Sequence, residues 1–159
     1  MYFTLYDSPI GEITLASDGT ALTGLWNQDQ KYHGNTLFND MQRKDDLPIF
    51  VATKKWLNEY FAGKNPSVNI PLNPMGSDFR QHVWKILCDI PYGEIVTYGY
   101  IAKKMGIKSG QAIGGAVGHN PISILIPCHR VIGANRSLTG YAGGLEMKAY
   151  LLKLEKAIL

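Results

Sequence analysis

Thr97-Tyr98-Gly99-Tyr100-Ile101-Ala102-Lys103-Lys104-Met105-Gly106-Ile107-Lys108-Ser109-Gly110-Gln111-Ala112-Ile113-Gly114-Gly115-Ala116-Val117-Gly118 reads as two short helices with a stop between them. Thr97 and Ser109 each supply a side-chain oxygen where a helix would otherwise begin with unpaired N–H groups. Gly106 supplies the left-handed stop. About four residues join the two helices, which gives helix-turn-helix proportions. The second helix is unusual because Gly114, Gly115 and Gly118 each cost up to ~1 kcal/mol relative to alanine. It lacks the Arg, Lys and Asn side chains of a major-groove reader. Two readings stay open: a smooth surface for sequence-indifferent contact with a nucleic-acid backbone or minor groove, and tight packing against another helix.

Outward from this pair, Ser77 can cap a helix through Phe79, Val83, Ile86 and Leu87 that ends at Pro91-Tyr92-Gly93. Asn120-Pro121 breaks the glycine-rich helix, and Ile122–Ile126 is apolar enough to be a fully buried strand. A loop from Gly133 to Gly144 leads to a last helix running from Leu145 to the C-terminus. The first 26 residues predict a three-stranded antiparallel meander, with turns at Asp7-Ser8-Pro9-Ile10-Gly11 and Asp18-Gly19. Residues 27–46 read as a long surface loop. Ile49, Phe50, Trp56, Leu57, Tyr60 and Phe61 share one helical stripe, and Val68–Leu72 reads as one more short strand. Pro66, Pro71, Pro74 and Gly76 mark a boundary. The expectation is an α/β domain with a short antiparallel sheet over residues 1–75, and a mostly helical domain with a winged-helix-like helix-turn-helix over 76–159.

Composition agrees with a folded chain. Of 159 residues, 45% are hydrophobic and 18% charged, which supports a real core. No apolar run approaches the ~20 residues of a membrane span, and the Met1-Tyr2-Phe3-Thr4-Leu5 start shows no basic leader. Two cysteines are too few for a disulfide framework or a zinc cage, so a cytoplasmic, reducing setting is expected. Residues 1–75 hold six Lys/Arg against eight Asp/Glu, whereas 76–159 hold ten against five. The positive surplus sits entirely in the C-terminal half, which suits a polyanion partner for that half or an ordinary solvated surface.

Pro127-Cys128-His129-Arg130 follows the buried run directly and offers a soft nucleophile, a base and a cation. A free thiol near pKa 8.5 is only a few per cent thiolate at neutral pH, and a base or a positive field raises that fraction. A buried cysteine at a strand end is the plainer reading of the same residue. Glu155 shares a face with Leu151, Leu152 and Ile158. A carboxylate buried there needs a partner, and a histidine suits it.

The string Ile126-Pro127-Cys128-His129-Arg130-Val131-Ile132 resembles the signature of the O6-alkylguanine-DNA alkyltransferases. Phe79-Arg80-Gln81-His82-Val83-Trp84, Pro91-Tyr92-Gly93-Glu94 with Thr97-Tyr98, Ile113-Gly114-Gly115-Ala116 with Asn120-Pro121, Gly140-Tyr141-Ala142-Gly143-Gly144-Leu145 and the Lys148–Glu155 segment resemble that family in order and spacing. The resemblance covers residues 77–155 and extends more weakly to Ser8-Pro9-Ile10-Gly11. It implies single-use, irreversible transfer of an alkyl group from guanine O6 in duplex DNA to Cys128, with thymine O4 as a further candidate position. His129 matches the base that acts through a water, Glu155 the carboxylate orienting it, and Asn120 a residue holding the turn below. Tyr98 matches the residue that crowds the target phosphate and helps protonate the leaving guanine. Val131, Tyr141, Ala142, Gly143 and Ser123 match the base pocket. Thr97, Gln111, Ala112, Gly115, Ala116 and Arg130 match the DNA-contacting surface. The implied partner is duplex DNA bearing O6-alkylguanine, flipped into a pocket, with no cofactor, no metal, no membrane and a monomeric protein.

Three departures stand out. Gln111 replaces an arginine that fills the gap left by a flipped base, while Ser123 and Ala142 replace a proline and a serine. Two other classes remain open at this point: a lesion-binding protein that does not repair, which Cys128 argues against, and a Cys-His thiol hydrolase.

Overall fold

A computed structural model describes residues 1–27, 41–134 and 144–157. The chain opens with strands β1 (Tyr2–Ser8), β2 (Gly11–Ser17) and β3 (Leu22–Asn27). The β1–β2 register is unbroken from Tyr2↔Ser17 to Ser8↔Gly11, as an alternating pattern with one buried face requires. Asp18 Oδ1 accepts from the backbone N–H groups of Thr20 and Ala21, both at 2.9 Å, closing the second turn.

The expected antiparallel sheet is mixed instead. Gln42–Arg43, placed in the surface loop by the sequence reading, form β4 and pair in parallel with Tyr2 and Phe3, giving the order β3-β2-β1-β4. Two polar residues carry no periodicity, so the strand was invisible. Val68–Leu72 is likewise no strand, because only Leu72 bridges to Leu22. The same β3 edge is bonded further along, where Leu25 N–H donates to Pro121 O at 2.8 Å and Ser123 N–H to Leu25 O at 3.2 Å. Two separate segments thus cover an edge that would otherwise be open to other chains.

Helix α1 (Pro48–Phe61) buries Ile49, Phe50, Trp56, Leu57 and Tyr60. In the second half, α2 (Asp78–Cys88), α3 (Tyr98–Met105) and α4 (Gly110–Gly118) pack together. Ser77, Thr97 and Ser109 accept from Arg80, Tyr100 and Ala112 N–H respectively, and Gly106 adopts φ 70°. Each expected cap is therefore made. Trp84 anchors the trio, donating from Nε1 to Ala116 O at 2.9 Å, and a Cβ on Gly76 would overlap its indole. β5 (Val96–Thr97) and β6 (Val131–Ile132) form a two-residue parallel ladder beside the helices.

The last helix, α5 (Leu145–Leu154), ends sooner than expected, so Glu155 is its C-cap rather than an interior residue. The run Ile122–Ile126 is buried but is a turn, not a strand. Ile124 sits at φ 72°, a conformation costing a β-branched residue ~1–3 kcal/mol. Asn120 holds that turn from within. Its Nδ2 donates to Ile126 O at 2.8 Å, and its Oδ1 accepts from Ile122 N–H at 3.0 Å.

Candidate active site

Cys128, His129 and Arg130 form a 3-10 turn between the strained loop and β6. Cys128 is 1% exposed and His129 is fully buried. Glu155, 2% exposed, comes from the end of α5 to meet them. His129 Nε2 lies 2.6 Å from Glu155 Oε2. Burial pushes the Glu155 carboxyl up, but hydrogen bonds and charge from His129 and Arg130 outweigh it and hold the group at about 2. A carboxylate only accepts, so Nε2 carries the proton. Burial, opposed by Glu155, pulls His129 below its ordinary pKa, which favours the neutral ring. Its Nδ1 is then a bare acceptor, and it is buried with no hydrogen-bond partner among the described residues. A base is thus presented one residue from the thiol.

The thiol itself is held protonated. Burial raises Cys128 to about 11, with Asn120, Lys148 and Ser123 favouring the thiolate against that trend. Lys148 was not among the expected site residues. It is fully buried on α5, its Nζ sits 5.9 Å from the centre of the Tyr98 ring, and burial pulls its ammonium down to about 8 against the pull of Cys128. Its signal was present in the sequence, because Lys148 and Glu155 lie seven residues apart on the stripe that holds Leu151 and Leu152.

Two residues expected on the DNA surface face inward. Arg130 folds back onto the carboxylate, with Nε 2.8 Å from Glu155 Oε1 and Nη2 3.1 Å from Oε2. Its Nη1 donates to Ile90 O at 2.6 Å, and its guanidinium lies over the Tyr92 ring at 5.8 Å. A buried carboxylate demands a cation, and this demand takes the side chain away from solvent. Ala116 is 2% exposed because its position on α4 turns it toward Trp84. Gln111, Ala112 and Gly115 are exposed, as expected. Ideal Cβ atoms on Gly110, Gly114 and Gly115 would meet nothing within 4 Å, so these glycines do not serve close helix packing. They leave a smooth outer surface. Thr97 is half-buried, with its hydroxyl engaged as the α3 cap. Val131 and Ser123 are fully buried, Ser123 beside the thiol. Tyr141, Ala142 and Gly143 lie outside the described residues. Among the described residues no group of three His, Cys, Asp or Glu could hold a metal ion.

A sheet-and-helix half joined to a helix-turn-helix half, with a buried Cys128 next in sequence to the buried His129–Glu155 pair, defines a DNA-interacting thiol protein. Two family descriptions match along the chain: "6-O-methylguanine DNA methyltransferase, ribonuclease-like domain" over residues 1–74 and "6-O-methylguanine DNA methyltransferase, DNA binding domain" over 78–157. The methylated-DNA--protein-cysteine methyltransferase of Haemophilus influenzae is 44% identical over 158 residues, covering 98% of this chain and 87% of that one. The Methanosarcina acetivorans protein of the same name is 44% identical and covered to 98% on both sides. The crystal structure of Mycobacterium tuberculosis OGT in complex with DNA superposes with a TM-score of 0.88 at 44% identity, covering 98% of this chain and 93% of that one. The chain belongs to the 6-O-methylguanine DNA methyltransferase family.

Proposed function

We propose that the protein reverses DNA alkylation by moving the alkyl group of O6-alkylguanine onto Cys128, once per molecule. The observation that carries this reading is the buried His129–Glu155 pair next in sequence to the buried Cys128, with Nδ1 of the histidine free of any hydrogen-bond partner among the described residues. His129 Nδ1 takes the thiol proton, directly or through one water, and Glu155 stabilises the imidazolium that results. The thiolate attacks the methyl carbon in line, forming the S–C bond as the C–O6 bond breaks. The electron pair goes to the guanine, which takes a proton from Tyr98, and the thiol proton held by His129 returns through solvent to the tyrosinate, so that both side chains end neutral. No external redox or group-carrying cofactor enters this balance, and the stable thioether ends the cycle.

Asn120 holds the turn that carries Cys128, while Val131 and Ser123 contribute to the pocket for a base flipped from the duplex. Gln111, Ala112 and Gly115 form the contact surface of α4, which suits shallow minor-groove binding. The domain division at residues 75/76 is supported by family matches that stop at 74 and resume at 78. Among the described residues no helix is long and apolar enough to cross a membrane. We place the protein in the cytoplasm, acting as a monomer, where a reducing medium keeps Cys128 free. Intact-mass and peptide mapping after incubation with O6-methylguanine duplex should find one methyl group on Cys128 and none on Cys88. Methylation that persists in a Cys128→Ala protein would overturn the assignment.

A further inference from the structure

The reacting groups all come from the C-terminal half, yet the carboxylate has a partner from the other half. Tyr60, on the inner face of α1 and 1% exposed, donates from its hydroxyl to Glu155 Oε2 at 2.5 Å, across 95 residues of sequence. Oε2 is also the atom that faces His129 Nε2. The tyrosine ring is held on two sides: Trp56 stacks on it with centroids 5.2 Å apart, and Tyr92 meets it edge-on at 6.4 Å. Tyr92 in turn lies under the Arg130 guanidinium that binds Oε1. Glu155 is therefore gripped by three donors from two elements, Tyr60 on α1 and His129 and Arg130 on the Cys128–Arg130 turn, and only the histidine contact is needed for proton transfer.

We propose that Tyr60 is a positioning residue for the Glu155–His129 relay, through which the N-terminal half sets the orientation and basicity of the catalytic base. This rests on the reading of the site given above. Oε2 is shared among three donors, the Tyr60 hydroxyl, His129 Nε2 and Arg130 Nη2. Each donor draws negative charge from Oε2, so a strong bond from Tyr60 weakens the hold of Oε2 on the His129 Nε2–H. A less stabilised imidazolium loses its proton more readily, which keeps Nδ1 bare at neutral pH. The same bond fixes the rotation of the carboxylate, and with it the ring plane of His129. The charged and titratable groups around the pair are Arg130 on the same turn, Tyr60 on α1, Tyr92 after α2, Lys148 on α5 and the Cys128 thiol. Of the neutral groups among these, Tyr60 bonds the carboxylate, so Tyr60→Phe removes that bond without changing the charge at the site.

The test uses the full-length protein without DNA first. Nitrogen-15 NMR of His129 should show an Nε2–H tautomer in the wild type. In Tyr60→Phe, which keeps both ring contacts, the His129 pKa should rise. Replacement of Tyr60 by 3-fluorotyrosine, a stronger donor of nearly the same shape, should lower it, and this second variant serves if Tyr60→Phe is poorly folded. Single-turnover transfer to Tyr60→Phe should then fall roughly tenfold at neutral pH, a part of the ~10²–10⁴-fold that a general base supplies. Its acid limb should move to higher pH. In a Glu155→Gln background the Tyr60→Phe change should have no further effect on transfer, because both act through one carboxylate. Superimposable His129 titrations in wild type, Tyr60→Phe and the fluorinated protein would overturn the proposal. A wild type that transfers nothing would instead overturn the repair reading, since the NMR comparison needs no activity.

Discussion

A thiol held at about 11 is ionised in only about one molecule in ten thousand at pH 7, a cost of about 5 kcal/mol. Burial of Cys128 thus keeps it a poor nucleophile by itself, and in the proposed mechanism the attack depends on His129 as base. Glu155→Gln should leave DNA binding intact and slow transfer by roughly 10²–10⁴-fold at pH 7. The sign of the pH effect is fixed by the thiol: its folded pKa is raised, so its ionised fraction grows tenfold per unit as pH rises toward 11. The deficit of the variant should accordingly shrink in stopped reactions run at high pH, and a constant deficit would show that Glu155 does not act through the base. The variant also leaves Arg130 without its counter-ion, at roughly 3–5 kcal/mol of stability, so melting must be followed alongside. At this scale the Cys-His pair was legible because neighbouring residues needed no tertiary knowledge to be noticed. The inward turn of Arg130 was not legible. A guanidinium four bonds from the backbone can face either way, and only the position of Glu155 decides.

Helix α4 shows what local chemistry can reveal and where it stops. Its Ser109 cap and the Gly106 stop before it follow from single side chains and neighbouring N–H groups, which sequence displays directly. The purpose of its glycines does not, since an absent side chain reads the same against a neighbour or against solvent. The open space above Gly110, Gly114 and Gly115 resolves that ambiguity. Gln111 stands exposed on the first turn of this helix, and in the proposed function it would occupy the gap left by an extruded base and hydrogen-bond to the orphaned partner. Flipping costs a few kcal/mol, so Gln111→Ala should slow repair of duplex DNA while leaving the reaction with free O6-benzylguanine nearly unchanged. Equal losses on both substrates, read from single-turnover rates, would mean that Gln111 supports the pocket instead.

Across the whole molecule, the charge surplus and the smooth helix lie in one half, while the sheet lies in the other. Sequence reading divided the chain into two halves but could not see what joins them. Tyr60 looked like an ordinary core aromatic, because its partner is 95 residues away and pattern reasoning works within a few turns of chain. Backbone pairing of Leu25 with Pro121 and Ser123 was hidden for the same reason. The edge of β3 accepts two strips that follow α1 in the chain, around Leu72 in the N-terminal half and around Ile122 in the C-terminal half, and the segment from Ala62 to Lys64 between α1 and those strips is exposed. Covalent continuity at that segment should therefore be dispensable to the assembled protein. A protease site engineered between Lys64 and Asn65 should yield, after cutting, a split protein whose two pieces co-elute on size exclusion and still accept one methyl group. Pieces that part without denaturant would show that the stitching along β3 is too weak to replace the peptide bond. If they stay together, the family scaffold offers a two-fragment reporter in which labelling of Cys128 records that the halves have met.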